Sequence, residues 1–155
     1  MEPNYTIRPA RTSEPGVAAL IATHFELMRA SSPEESCHVM EADALEQQGA
    51  LVIAAEDQGV VVGIGALKVI ADGHGEVKSM HTAKSVRGKG VARQILLALI
   101  DAARERQVSR LSLETGSYDI FAPARALYAA EGFATCPPFG DYTEDPLSTF
   151  MTREV

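Results

Sequence analysis

The chain has only two cysteines in 155 residues, Cys37 and Cys136. They lie far apart and match no metal or redox spacing, so two reduced thiols are expected. Positive charge is scarce as well: 14 Lys and Arg stand against 21 Asp and Glu, for a net charge of −7. That balance argues against a general nucleic-acid binder, because phosphate contacts need clustered Lys and Arg. It suits a cationic acceptor, or serves solubility alone. No stretch is long and apolar enough to cross a bilayer, and the opening Met-Glu-Pro-Asn-Tyr lacks a basic segment leading into an apolar run. A cytoplasmic protein without a membrane partner is expected. Internal repeats and low-complexity tracts are also missing. The length suits one domain over residues 1–155, with a core large enough to need no staples.

What is present is an ordinary globular composition, 46% apolar and 23% charged. Residues 5–8 read as a first strand. Thr12 and Ser13 are N-cap candidates for a helix whose apolar face is Val17, Leu20, Ile21, Phe25 and Met28. Residues 29–38, rich in Ser, Pro and Glu, read as a loop, and 41–48 as a short helix ended by Gly49. Two β-branched runs, 51–56 and 60–70, join across Asp57-Gln58-Gly59 as a hairpin. Gly63 and Gly65 in the second run predict a bulge or a close backbone approach. A turn at 72–75 precedes a strand over 76–82. The clearest helix is 91–106, with Ala92, Ile95, Leu96, Leu99, Ile100 and Ala103 on one side. A strand at 110–114, a helix at 124–131 and a strand at 148–153 follow, with one further short strand around 133–136. The order β-α-α-β-β-β-α-β-α-β predicts an α/β sandwich with a mixed sheet.

The most informative stretch is Val86-Arg87-Gly88-Lys89-Gly90-Val91-Ala92-Arg93. It follows a strand and opens an amphipathic helix. Two glycines free the backbone of Cβ atoms, so consecutive N–H groups can line one concavity. Arg87 and Lys89 add charge, and the helix start adds its dipole. Such a site suits a pyrophosphate. It is not a P-loop, which needs Gly, four residues, then Gly-Lys-Ser/Thr. Nor is it the dinucleotide fingerprint, whose last Gly or Ala is replaced by Arg93.

Arg87, Gly90 and Ala92 match Arg/Gln-x-x-Gly-x-Gly/Ala, which resembles the acyl-CoA signature of the GNAT superfamily of N-acetyltransferases. Leu127-Tyr128-Ala129-Ala130-Glu131-Gly132-Phe133 resembles that family's late Leu-Tyr-x-x-x-Gly-Phe motif. The likeness spans nearly the whole chain. It implies a mixed, mostly antiparallel central sheet flanked by helices, with a splayed strand pair that binds acetyl-CoA as acyl donor. Arg87, Gly88, Lys89, Gly90, Val91 and Ala92 would hold its pyrophosphate. Backbone groups of Met80, His81 and Thr82 would meet the pantetheine arm and thioester.

Amine acetylation needs a base, since an amine of pKa near ~10 is protonated at neutral pH. Glu76 stands where some relatives carry that base; the other reading is a solvated strand-end residue paired with Lys78 or with nothing. Tyr128 would protonate the departing thiolate and sit at the cofactor sulfur; the other reading is a core tyrosine beside Leu127 and Phe133. Phe121 stands where the family often has a pantetheine-binding Asn, and Gly116 or Ser117 is the expected substitute.

Among the histidines, His24 reads as structural, His74 as a solvated turn residue, and His81 as able to face either side of the sheet. No pair has metal-ligand spacing supported by a carboxylate, so no metal is expected. Neither cysteine has an activating partner, which favours direct transfer in a ternary complex over an acyl-enzyme. The loops containing 32–38 and 139–145 are expected to wall the acceptor. A free amino acid, a polyamine-like metabolite and an amine-bearing xenobiotic are the candidate acceptors. Acidic groups of these loops facing the cleft would favour a cationic one. His38, Lys78 or Arg125 facing it, with Glu76, would recognise the ammonium and carboxylate of an amino acid, and this reading is preferred. Protein lysine or N-terminal acetylation, a non-catalytic acyl-CoA sensor, and a nucleotide-binding regulatory domain are the other readings. Dimers are common in the family, so a homodimer is an expectation by analogy.

Overall fold

Alternating apolar runs meet one strongly amphipathic helix, and both must bury a face. The computed structural model describes residues 5–31 and 42–155. Its elements are β1 (Thr6–Ala10), α1 (Pro15–Ser31), α2 (Ala42–Gln47), β2 (Leu51–Asp57), β3 (Val60–Ala71), β4 (His74–Thr82), α3 (Val91–Glu105), β5 (Arg110–Gly116), α4 (Ala122–Ala130), β6 (Ala134–Thr135) and β7 (Ser148–Glu154). The order and the short extra strand agree with the sequence reading, while several ends shift. Residues 29–31, expected in a loop, continue α1. β4 starts two residues earlier than expected, at His74, which pairs with Arg110 of β5.

The seven strands lie in the order β1-β2-β3-β4-β5-β7-β6. Neighbours are antiparallel except β4 and β5, which are parallel. One face packs on α3 through a core that includes Leu67, Val77, Ile95, Leu99 and Leu113. The other packs on α1 and α2 through Val17, Ile21, Leu45, Val52, Ile64 and Ala66.

Gly63 and Gly65 answer to the close-approach reading. A Cβ at Gly63 would stand 2.8 Å from both Ile95 Cδ1 and Val91 Cγ1, and one at Gly65 would stand 2.6 Å from Met80 Sδ. Helix α3 therefore sits directly on the β3 backbone.

A bulge in β4 decides which side chains face which layer. Ile64 pairs with His81 and Ala66 with Lys78, so β4 spends one residue more than β3. Ser79, with φ of 56°, sits in the left-handed region inside that extra stretch. Directly paired residues share a face, so Glu76, Lys78 and His81 all lie on the α1 side with Lys68, Ala66 and Ile64.

Candidate active site

β4 and β5 pair only from His74↔Arg110 to Val77↔Leu113. Beyond that point β4 continues to Thr82 and β5 to Gly116 without pairing each other. Facing backbone groups on both strands are thereby left without a sheet partner. The wedge opens into a cavity of ≈ 1410 Å³.

At one end stands the glycine loop. Gly88 and Gly90 have φ of 78° and 84°, and a Cβ on either would meet nothing within 4 Å. The N–H groups of Gly88, Gly90, Val91 and Ala92 donate to no other described residue, as expected where a helix begins. These free donors and the open space beside them fit an anion that must approach the backbone. Arg87, Gly88, Gly90, Val91 and Ala92 line the cavity. Lys89 does not: it is exposed, and its N–H bonds to Val86 O at 3.2 Å. Arg93 binds Glu131 at 2.6 Å, tying the start of α3 to the end of α4.

Met80, His81 and Thr82 all line the cavity along the splayed part of β4. Opposite them, α4 contributes Tyr128, whose ring meets Phe133 edge-on at 5.9 Å. Tyr128 thus has both of the characters the sequence left open, a packed ring and a place on the cavity wall. Its hydroxyl makes no hydrogen bond to a described residue. Burial, then the nearby Glu114, push its pKa well above the ordinary phenol value, so the group holds its proton at neutral pH.

Glu76 is buried and engaged. Its Oε2 accepts a hydrogen bond from the Tyr142 hydroxyl at 2.6 Å and lies 3.3 Å from Lys78 Nζ. The Lys78 amine in turn lies 3.3 Å from the Tyr142 oxygen. The solvated reading of Glu76 is therefore corrected. Tyr142 is held by an aromatic cluster with Phe139 and Phe150, so the late loop walls the cavity through this ring. His38 and the rest of 32–38 lie outside the described residues.

A second carboxylate, Glu114, was not singled out from sequence. It lies on β5 one residue past the last pair with β4, and it lines the cavity. Burial raises its pKa to about 7 against the pull of the Ser148 hydroxyl and Lys78. Its one side-chain hydrogen bond among the described residues is long, 3.4 Å from Ser148 Oγ. Nothing local marks this residue: Leu-Glu-Thr at a strand end is ordinary until the strands part there.

His81 faces α1, where its Nδ1 lies 3.2 Å from His24 Nδ1. Burial, then the neighbouring His81, lower the His24 pKa to about 4. Burial, then Arg87, lower that of His81. His74 is not the solvated turn residue expected: its Nε2 lies 2.7 Å from Ser112 Oγ, and its ring is 5.8 Å from Phe139. It became a strand residue because β5 pairs with it.

Phe121 is buried and packs on Gly116, where a Cβ would meet its ring at 2.1 Å. Ser117 does not replace the missing Asn, because its N–H and Oγ bond to Leu147 O and Pro146 O at 3.1 and 2.7 Å. Arg125 reaches the carbonyls of Gly116 and Tyr118 and does not line the cavity. Among the described residues no cluster of three or more His, Cys, Asp or Glu is placed to hold a metal ion. No described helix is long and apolar enough to cross a membrane.

Comparison with known proteins agrees with this geometry. The profile of the Acetyltransferase (GNAT) family matches residues 17–133. The chain is 44% identical over 139 residues to the uncharacterized N-acetyltransferase YsnE of Bacillus subtilis (strain 168), covering 90% of this chain and 92% of that one. It is 37% identical over 154 residues to the IAA acetyltransferase of Azospirillum brasilense, covering 99% of each. Among solved structures, a Klebsiella pneumoniae protein assigned as an acyl-CoA N-acyltransferase superposes with a TM-score of 0.78 at 31% identity, covering 97% of both chains. A GNAT family acetyltransferase from Elizabethkingia anophelis, crystallised with acetyl-CoA, has a TM-score of 0.72 at 19% identity, covering 98% of this chain and 99% of that one. The chain belongs to the GNAT family of acetyltransferases. It is an N-acetyltransferase whose acyl donor is acetyl-CoA.

Proposed function

We propose that the enzyme acetylates the amine of a small molecule that also carries a carboxylate, an amino acid being the simplest case, by direct transfer in a ternary complex. The observation that carries this is the joint placement of Glu114, Lys78 and Tyr128 around one cavity where β4 and β5 part. Glu114 accepts the ammonium and removes its proton. With a pKa of about 7 it is close to the optimum for a base working at neutral pH. Glu76 is the weaker candidate, because the Tyr142 hydroxyl and Lys78 already occupy its Oε2. It orients Lys78 instead, and the remaining N–H groups of that ammonium meet the acceptor carboxylate.

Bound acetyl-CoA supplies the activated thioester. Free N–H groups at the start of α3, with Arg87, hold its pyrophosphate, while Lys89 adds charge from outside the cavity. Backbone groups of Met80, His81 and Thr82 face the acyl end. Tyr128 donates the proton that the departing sulfur needs. Burial raises the phenol pKa and raises that of a thiol in the same site for the same reason, so the transfer stays near balance. The Cys136 thiol does not line the cavity and is itself pushed up by burial, which speaks for direct transfer.

The test is CoA release with acetyl-CoA and a panel pairing each amino acid with its decarboxylated amine. Preference for the amino acids, lost in Lys78→Met, supports the reading. Turnover of carboxylate-free amines alone removes its acceptor part. No release with any amine leaves a protein-directed transferase or an acyl-CoA-binding module.

A further inference from the structure

None of the charged groups that line the cavity comes from α1. Glu76, Lys78 and Glu114 are supplied by β4 and β5, Lys84 and Arg87 by the segment between β4 and α3, and Arg93 by α3. The five residues that α1 contributes to the lining are Leu20, Thr23, His24, Leu27 and Met28, and none carries a fixed charge. Among the described residues, Leu20 packs on the α1-side core, but Leu27 and Met28 belong to neither hydrophobic core and remain only half-buried. Apolar side chains that line a cavity while packing into no core are surface a ligand can bury with gain.

His24 and His81 lie between this wall and β4. Their 3.2 Å Nδ1–Nδ1 contact requires one ring to donate and the other to accept, so at least one ring is neutral. Burial favours the neutral form of both. The Nε2 atoms then offer one donor and one acceptor and no net charge. Of the charged groups near the pair, Arg87 lies on the glycine-loop side rather than on α1.

We propose that the acceptor is an amino acid with an uncharged, largely apolar side chain of the size of leucine, methionine or phenylalanine, seated against Leu20, Leu27 and Met28 of α1. This rests on the carboxylate-bearing acceptor above and adds the group on its α-carbon. The head group occupies the charged β4–β5 side, with ammonium toward Glu114 and carboxylate toward Lys78. The side chain then extends across the cleft onto the neutral wall. A Lys, Arg, Asp or Glu side chain placed there would leave its charge desolvated without a partner.

The experiment measures kcat/KM at saturating acetyl-CoA for Leu, Met and Phe against Lys, Arg, Asp and Glu. At least a tenfold advantage for the apolar set is expected. Met28→Asp and Leu27→Asp should each narrow the gap between Leu and Lys at least fivefold while leaving the acetyl-CoA KM unchanged. Equal or better turnover of charged amino acids by the unmodified enzyme overturns the inference, as does an unaltered ranking in both folded variants. Release of CoA with carboxylate-free amines alone, or with no amine, removes the underlying acceptor reading and this one with it. Amino-acid turnover with the wrong side chains removes this one only.

Discussion

The Tyr142 hydroxyl donates to Glu76 Oε2 at 2.6 Å across 66 residues of sequence. This bond, with Lys78 beside it, engages the carboxylate that chain position alone suggests as the base. The base proposed here is instead Glu114, whose one side-chain hydrogen bond among the described residues is the long contact from Ser148. A base needs an oxygen that can reach the amine proton, and Glu76 Oε2 is already shared by the Tyr142 hydroxyl and Lys78.

Glu114→Gln is therefore expected to lower kcat by about 10²–10⁴-fold, the usual range for general-base loss, with the acetyl-CoA KM little changed. Glu76→Gln should cost less in kcat and appear instead as a raised acceptor KM. The reverse ranking in steady-state kinetics would return the base role to Glu76.

The pH dependence follows from the same group. A base works deprotonated, and the Glu114 pKa lies at about 7. The value of kcat/KM for the acceptor should thus fall as pH drops from 8 to 6, with an apparent pKa near 7. Glu114→Gln should flatten that limb. An acid limb persisting unchanged in the variant assigns it to another group.

Gly90→Val puts a branched side chain into the space at the start of α3. CoA affinity should fall at least tenfold, about 1.4 kcal/mol. The φ of 84° at this position adds strain of about 1–3 kcal/mol for a non-glycine residue, so folding is checked by circular dichroism before calorimetry. Undiminished CoA binding by the folded variant removes the pyrophosphate assignment.

Tyr128→Phe keeps the ring against Phe133 and deletes the proton donor. The single-turnover rate should fall by about 10²–10⁴-fold if thiolate departure limits the reaction, and by less if it does not. CoA binding should be nearly intact. Full single-turnover activity makes Tyr128 a packing residue.

His24 has a folded pKa of about 4 against an ordinary 6.5. A group whose folded pKa is depressed contributes stability that is present above the unfolded value and is lost as pH falls toward the folded one. Stability should consequently fall between pH 6.5 and 4 by an amount on the order of 1–3 kcal/mol, read as a drop in melting temperature. His24→Leu should reduce the slope in that window. An identical slope would show that carboxylates elsewhere dominate acid unfolding.

Local chemistry made much of this legible from the sequence. The run from Arg87 to Ala92 needs only its own glycines and the helix behind it to leave free N–H groups beside open space, the arrangement proposed to hold the pyrophosphate, and the amphipathic periods identify α3 and the strands. Tyr128 was reachable because its helix and the turn at Gly132 are contiguous in sequence. The rest depends on pairing between distant segments. Glu114 lines the cavity just where β4 and β5 stop pairing after Val77 and Leu113, a register no single segment records, and burial there raises its pKa. His81 turns to α1 because a bulge at Ser79 resets the alternation of β4, and only then does it meet His24, 57 residues earlier. Glu76 is taken out of solvent by Tyr142, a tyrosine 66 residues away whose contact with it no local pattern records. Periodicity and turn chemistry act over a few residues, whereas burial, desolvation and the hydrogen-bond partners of a buried carboxylate are set by whatever the closed sheet brings alongside it.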